Sequence, residues 1–167
     1  MTFPFAQPLT PIAPGPRVIP EPPRRGEAGG EPCGVCDNDS HIWRDDKWAV
    51  YNPVGCSIPG TVWLASRVHV DSFSDMPSEL LADFGRVVAL VERAVLSLED
   101  VARVHLYRWG DGGAHFHVWL MPRPLGMLEA TRYFLPVWEE QLTPVPQEEI
   151  EAVGKRLADY LAAHARN

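Results

Sequence analysis

The chain has 167 residues, enough for one domain with a real core and too few for two full ones. Its hydrophobic fraction of 46% and charged fraction of 22% are ordinary for a globular protein, and no apolar run approaches the length that crosses a bilayer. The net charge of −7 argues against a long-range electrostatic hold on nucleic acid, yet a small phosphorylated ligand needs only a few local donors.

Residues 1–32 hold nine of the 17 prolines and the stretch Arg25-Gly26-Glu27-Ala28-Gly29-Gly30. Proline removes backbone donors and glycine favours disorder, so this segment reads as an arm or strap without a regular element. It lacks a basic start followed by an apolar stretch, which makes the cytoplasm the expected location. The three cysteines, Cys33, Cys36 and Cys56, are too few and odd in number for a disulfide framework. Cys33-x-x-Cys36 reads as a metal site or a redox pair, and Cys56 as an inert buried thiol.

Periodic structure begins after Cys36. Residues 47–51 and 61–66 read as short strands, set apart by the turn signals Asn52-Pro53 and Pro59-Gly60. Asp75, Pro77 and Glu79 mark a helix start, and Leu80, Phe84, Val87, Val88, Val91 and Val95 follow at helical spacing. Residues 101–109 return to two-residue alternation, and Gly110-Asp111-Gly112-Gly113 reverses the chain into a strand over 114–121 that Pro122-Arg123-Pro124 ends. A second helix is predicted over 147–164, with Ile150, Val153, Leu157 and Tyr160 on one face. The expected fold is α+β: an antiparallel sheet of about five strands, one long helix across it and a C-terminal helix.

The 114–121 strand carries the chemistry. Alternation puts Ala114, Phe116, Val118 and Leu120 on an apolar face, and His115, His117, Trp119 and Met121 on the other. Two imidazoles then lie roughly 6–7 Å apart along the strand, directly after a glycine turn. Spacing alone leaves two readings, a functional pair or a surface His-x-His with no role.

The segment Gly112-Gly113-Ala114-His115-Phe116-His117-Val118-Trp119-Leu120-Met121-Pro122-Arg123 resembles the histidine-triad signature. Pro59-Gly60-Thr61-Val62-Trp63-Leu64, followed by His69-Val70, resembles that family's upstream strand. The resemblance covers roughly residues 33–124, which divides the chain into an arm (1–32), a histidine-triad-like domain (33–124) and a C-terminal extension (125–167). It implies a nucleotide or nucleotide-conjugate substrate, with His117 as the nucleophile on the α-phosphorus and a nucleotidyl-histidine intermediate. Imidazole suits that task because it is partly unprotonated near neutral pH. The third histidine position is Trp119, whose indole offers a donor and no acceptor nitrogen. The uridylyltransferase branch of the family has glutamine there and transfers the nucleotidyl group. Hydrolysis, transfer and a catalytically silent, zinc-stabilised nucleotide-binding protein therefore all stay open.

The resemblance also implies a structural zinc on Cys33, Cys36, His69 and His115, with 32 residues between Cys36 and His69 and 45 between His69 and His115. His115 would serve the metal and leave His117 for phosphorus. Gly112 and Gly113 offer backbone donors to phosphate, Arg123 is favoured over Arg108 as a phosphate contact, and Asn52 stands near the family's ribose-binding position. Trp43, Trp48 and Tyr51 are open to base stacking or to the core. His41 and His105 read as structural or exposed. Residues 125–146 read as a cap on the site or a homodimer contact. No membrane or nucleic-acid partner is expected, and a zinc-knuckle nucleic-acid binder is disfavoured by the acidic charge.

Overall fold

Two-residue alternation over residues 41–124 produces five strands in the computed structural model, which describes residues 4–5 and 13–165. Parts of the predicted arm, residues 1–3 and 6–12, lie outside the described residues. The strands are β1 (His41–Arg44), β2 (Trp48–Tyr51), β3 (Val62–Ser66), β4 (Val101–Tyr107) and β5 (His117–Pro124). They form one antiparallel sheet in the order β1-β2-β3-β5-β4, so the histidine strand lies inside the sheet, between β3 and β4. The helices are α1 (Ser78–Leu96), α2 (Phe134–Gln141) and α3 (Gln147–His164).

One face of the sheet carries the main core. Trp48, Val50, Val62, Leu64, Phe116, Val118 and Leu120 meet Leu80, Val87, Leu90 and Val91 of α1 and Leu157 and Leu161 of α3. These buried α1 positions follow the three-to-four spacing of the apolar stripe, which is why the helix lies across the sheet. Phe116, fully buried, is the pivot of this face: its ring meets Trp48, Phe73 and Phe84 at centroid distances of 6.2, 4.8 and 5.6 Å. Burying a side chain of this kind stabilises by about 2–3 kcal/mol. Here it also fixes the backbone between the two histidines.

The other face is split. Ala49, Tyr51 and Ala65 pack with Val35 and Trp63 near the histidine end. Met121 packs with Cys56, Ile58, Ala130, Leu135 and Ile150 toward the far end, under α2.

Three sequence expectations change. The final strand, expected over 114–121, spans His117–Pro124, so His115 lies just ahead of it. Its last partner on β3 is Val62, opposite Leu120, so beyond that point only β4 flanks it and a proline's missing N–H is tolerated. Leu106, expected on the apolar face of its strand, is 48% exposed because β4 is an edge. Residues 24–31 of the arm hold no regular element, yet they are fastened to the domain. The Arg24 guanidinium donates to Glu27, to Asp71 and, at 2.6 Å, to the Gly110 carbonyl, while Ala114 N–H donates to Arg25 O at 2.8 Å.

Candidate functional site

The strap, the residues after β3 and the start of β5 converge at one end of the sheet. Cys33 and Cys36 come from the strap's end, His69 from the segment after β3, and His115 from just before β5. Their four donor atoms lie within 4.8 Å of one another. Cys33 Sγ is 3.2 Å and Cys36 Sγ 3.5 Å from His115 Nδ1, and Cys36 Sγ is 3.3 Å from His69 Nδ1.

His115 is 3% exposed, and its Nε2–H donates to the Ser66 carbonyl at 2.8 Å. A carbonyl only accepts, so the proton is on Nε2 and the Nδ1 lone pair faces two sulfurs. Burial, the largest cause, holds this imidazole below its ordinary pKa and keeps it neutral. The same desolvation, with Cys33 beside it, pushes the Cys36 thiol up to about 11. A lone pair and two sulfurs aimed at one point fit a cation. Zinc bonds of about 2.3 Å to sulfur and about 2.0 Å to nitrogen place neighbouring tetrahedral donors about 3.5 Å apart. The set fits a structural zinc: four protein ligands close the coordination shell, and the Ser66 carbonyl orients one of them from behind.

His117 lies one step along the same face. Its Nδ1–H donates to the His115 carbonyl at 2.8 Å, which fixes the tautomer and leaves Nε2 unprotonated in the neutral ring. It lines a cavity of about 330 Å³ together with Arg25, Asn38, Trp63, Gly112, Gly113 and Trp119. The Trp63 ring stands edge-on to His117 at 6.2 Å and stacks on Tyr51 at 4.0 Å. Among the described residues Arg25 is the one charged side chain lining this cavity, and its guanidinium pairs with Glu31 at 2.7 Å.

The structure thus brings His115, His117, Trp119, Gly112 and Gly113 together. It does not bring Asn52 or Arg123 there. Asn52 follows Tyr51 at the end of β2, and alternation turns it to the opposite face, where its amide packs on Gly154 of α3. Arg123 is on the histidine face but six residues further on, roughly 20 Å along the strand. Its guanidinium donates to the carbonyls of Pro124 and Met127. Arg108, the weaker candidate, lies over the Phe116 ring at 5.3 Å and donates to Asp71 O. Trp43 and Trp48 belong to the core, Cys56 is buried, and His105 is half-buried beside Tyr107. Arg25, Asn38 and Trp63 were not singled out by sequence. Trp63 alone carried a signal, standing within the Pro-Gly strand on the face that alternation assigns to Tyr51's neighbours.

No protein-family model matches the chain, and no curated protein matches it in sequence. Solved structures do match. A histidine triad nucleotide-binding protein described as hypothetical, from Sulfolobus tokodaii, superposes with a TM-score of 0.58 at 19% identity, over 76% of this chain and 86% of its own. A zinc-bound histidine triad family protein from Mycobacterium smegmatis gives 0.56 at 19%, over 75% and 86%. The diadenosine triphosphate hydrolase of Plasmodium falciparum gives 0.55 at 12%, over 77% and 80%. A five-stranded antiparallel sheet with a His-x-His strand inside it defines the class: the chain has the histidine-triad fold. Within that class it is a variant with tryptophan at the third position and a Cys2His2 set that fits zinc. Among the described residues no helix is long and apolar enough to cross a membrane.

Proposed function

We propose that the protein processes nucleotides or nucleotide conjugates at the α-phosphate through a nucleotidyl group carried on His117. The observation that carries this reading is the tautomer lock, Nδ1–H on the His115 carbonyl, on an imidazole that lines a cavity beside a glycine turn and one arginine. The Nε2 lone pair attacks phosphorus, the P–N bond forms, and the bond to the leaving group breaks. The leaving group departs with the electron pair and takes a proton from solvent. Water or another hydroxyl, giving up its proton, then forms a new P–O bond and releases Nε2. Arg25 lines the cavity and would exchange its contact with Glu31 for phosphate oxygens, and the N–H groups of Gly112 and Gly113 are further donors. Cys33, Cys36, His69 and His115 would hold a zinc whose contribution is to fasten the strap and the start of β5. The reacting unit is 33–124, with 1–32 as a strap and 125–167 as an extension.

Incubation with a panel of nucleotide conjugates should give a nucleotidyl adduct, seen by mass spectrometry on a peptide that contains His117, together with turnover. Both should fall at least about 10³-fold in His117→Ala, as expected for loss of a nucleophile. No adduct, and equal turnover in the two proteins, would end this reading. A second reading, nucleotide binding without turnover, is favoured by Trp119, which cannot accept a proton. It predicts tight binding with no turnover in the wild type.

A further inference from the structure

A second cavity of about 450 Å³ adjoins the first, and Trp119 lines both. Its walls come from the β2–β3 turn, from Met121 and from the C-terminal extension. They include Trp109, Pro136, Leu142, Glu139 and Glu140. The two chambers differ in their charged linings. Among the described residues the His117 chamber is lined by Arg25, whose guanidinium also pairs with the exposed Glu31 at 2.7 Å, and by no carboxylate, whereas the second is lined by two carboxylates and no cation. Trp109 is 51% exposed and stacks on Tyr107 with an 8° tilt, so its other face is available to a flat apolar group. Ser57 donates its hydroxyl to the Glu139 carbonyl at 2.7 Å and its N–H to Oε1 at 3.1 Å, and among the described residues no hydrogen bond reaches Oε2. Thr61, 2% exposed, also lines this chamber, and its hydroxyl has no partner among the described residues.

We infer that this second chamber holds the leaving group or acceptor, and that it selects one without negative charge: a group with an apolar face and hydrogen-bond donors, such as a sugar or an amine. The inference rests on the nucleotidyl-transfer reading for its reaction, but not for its binding. A conjugate seated with its α-phosphate by His117 and Arg25 must extend its other half somewhere, and β5 leads past Trp119 into this chamber. There an indole face receives C–H groups or a cation, and the carboxylates accept from hydroxyl or ammonium donors. A second nucleotide with its phosphates would bring negative charge against Glu139 and Glu140. The third triad position is then explained: Trp119 is the wall shared by a chamber lined with an arginine and a chamber lined with two carboxylates.

The test uses the full chain loaded with zinc and the His117→Ala protein, which separates binding from turnover. Each of the four common nucleobases is offered as three conjugates: a dinucleoside triphosphate, a hexose ester of the nucleoside 5′-monophosphate, whose leaving group is the uncharged sugar, and a nucleoside 5′-phosphoramidate of a diamine. With the preferred base, His117→Ala should bind the hexose or diamine conjugate at least ten-fold more tightly than the dinucleoside triphosphate. Adding Glu140→Lys, an exposed position that does not threaten the fold, should shrink or reverse that ratio. Loss of affinity in Glu140→Gln for the diamine alone identifies the amine, and equal small losses identify the sugar; either outcome supports the chamber. Equal or tighter binding of the dinucleoside triphosphate, a ratio unmoved by Glu140→Lys, or no binding of any conjugate overturns it. Selective binding without turnover in the wild type would leave the chamber standing and remove the catalytic reading.

Discussion

The two ends of β5 are held by different physics. At the His117 end, together with His115 just ahead of the strand, the restraints are directional: two imidazole N–H groups on carbonyls and four donors around one point. At the Trp119–Met121 end they are apolar surfaces, with Leu135 and Ile150 closing over Met121. Directional chemistry demands particular residue types at particular spacings. Apolar contact demands only volume and shape, and many sequences satisfy it. One strand therefore combines a rigid reactive end with an end whose cavity can be reshaped by changing the extension around it.

That contrast can be broken from either side. The largest effect is expected at the polar end. Cys33→Ser should abolish a zinc content of about one per chain and remove about 4 kcal/mol of stability at a free zinc concentration a thousand times the dissociation constant. Metal analysis and denaturant unfolding read both; a metal-free wild type of undiminished stability would contradict the assignment. Leu135→Ala, in the fully buried seat of α2, should cost about 3 kcal/mol by opening a cavity. Zinc content should stay whole, since Leu135 belongs to the apolar cluster under α2 and not to the Cys/His set. Gly154→Ala should cost about 1–3 kcal/mol, because a Cβ there would collide with the Asn52 amide. The companion Asn52→Ala should leave KM unchanged, and a raised KM would return Asn52 to the substrate. Arg25→Ala should be smallest in energy, a KM raised about ten-fold, or about 1.4 kcal/mol, with kcat and zinc retained. A fall in stability without a change in KM would make Arg25 merely a strap residue.

The same division explains what could be read in advance. The long helix and the C-terminal helix were legible because many apolar positions repeat at one period, and α3 spans Gln147–His164 as the spacing indicates. The histidine face and the Cys/His set were legible because few residue types can do that work. β1 was not: it has four residues, one of them buried, and its pairing slips between His41 and Trp43. Neither was α2, eight residues long with Pro136 inside it and no capping side chain. Asn52 and Arg123 lie away from the His117 cavity for geometric reasons. The first sits one residue off the correct face, and the second on the correct face but too far along. A motif gives order along the chain, whereas a site needs direction and reach.

The distance between ligands along the chain has a further consequence. Cys33 precedes His115 by 82 residues and Cys36 by 79, and between them lie α1 and four of the five strands. Because synthesis runs from the N-terminus, the hook is the first part of the site to leave the ribosome and the last to find its eye. One imidazole, His69, follows after three strands, but the fourth ligand, His115, is made only after β4. Closing so long a loop is entropically slow, so the metal is a fastener applied to a nearly finished domain and not the seed on which it forms.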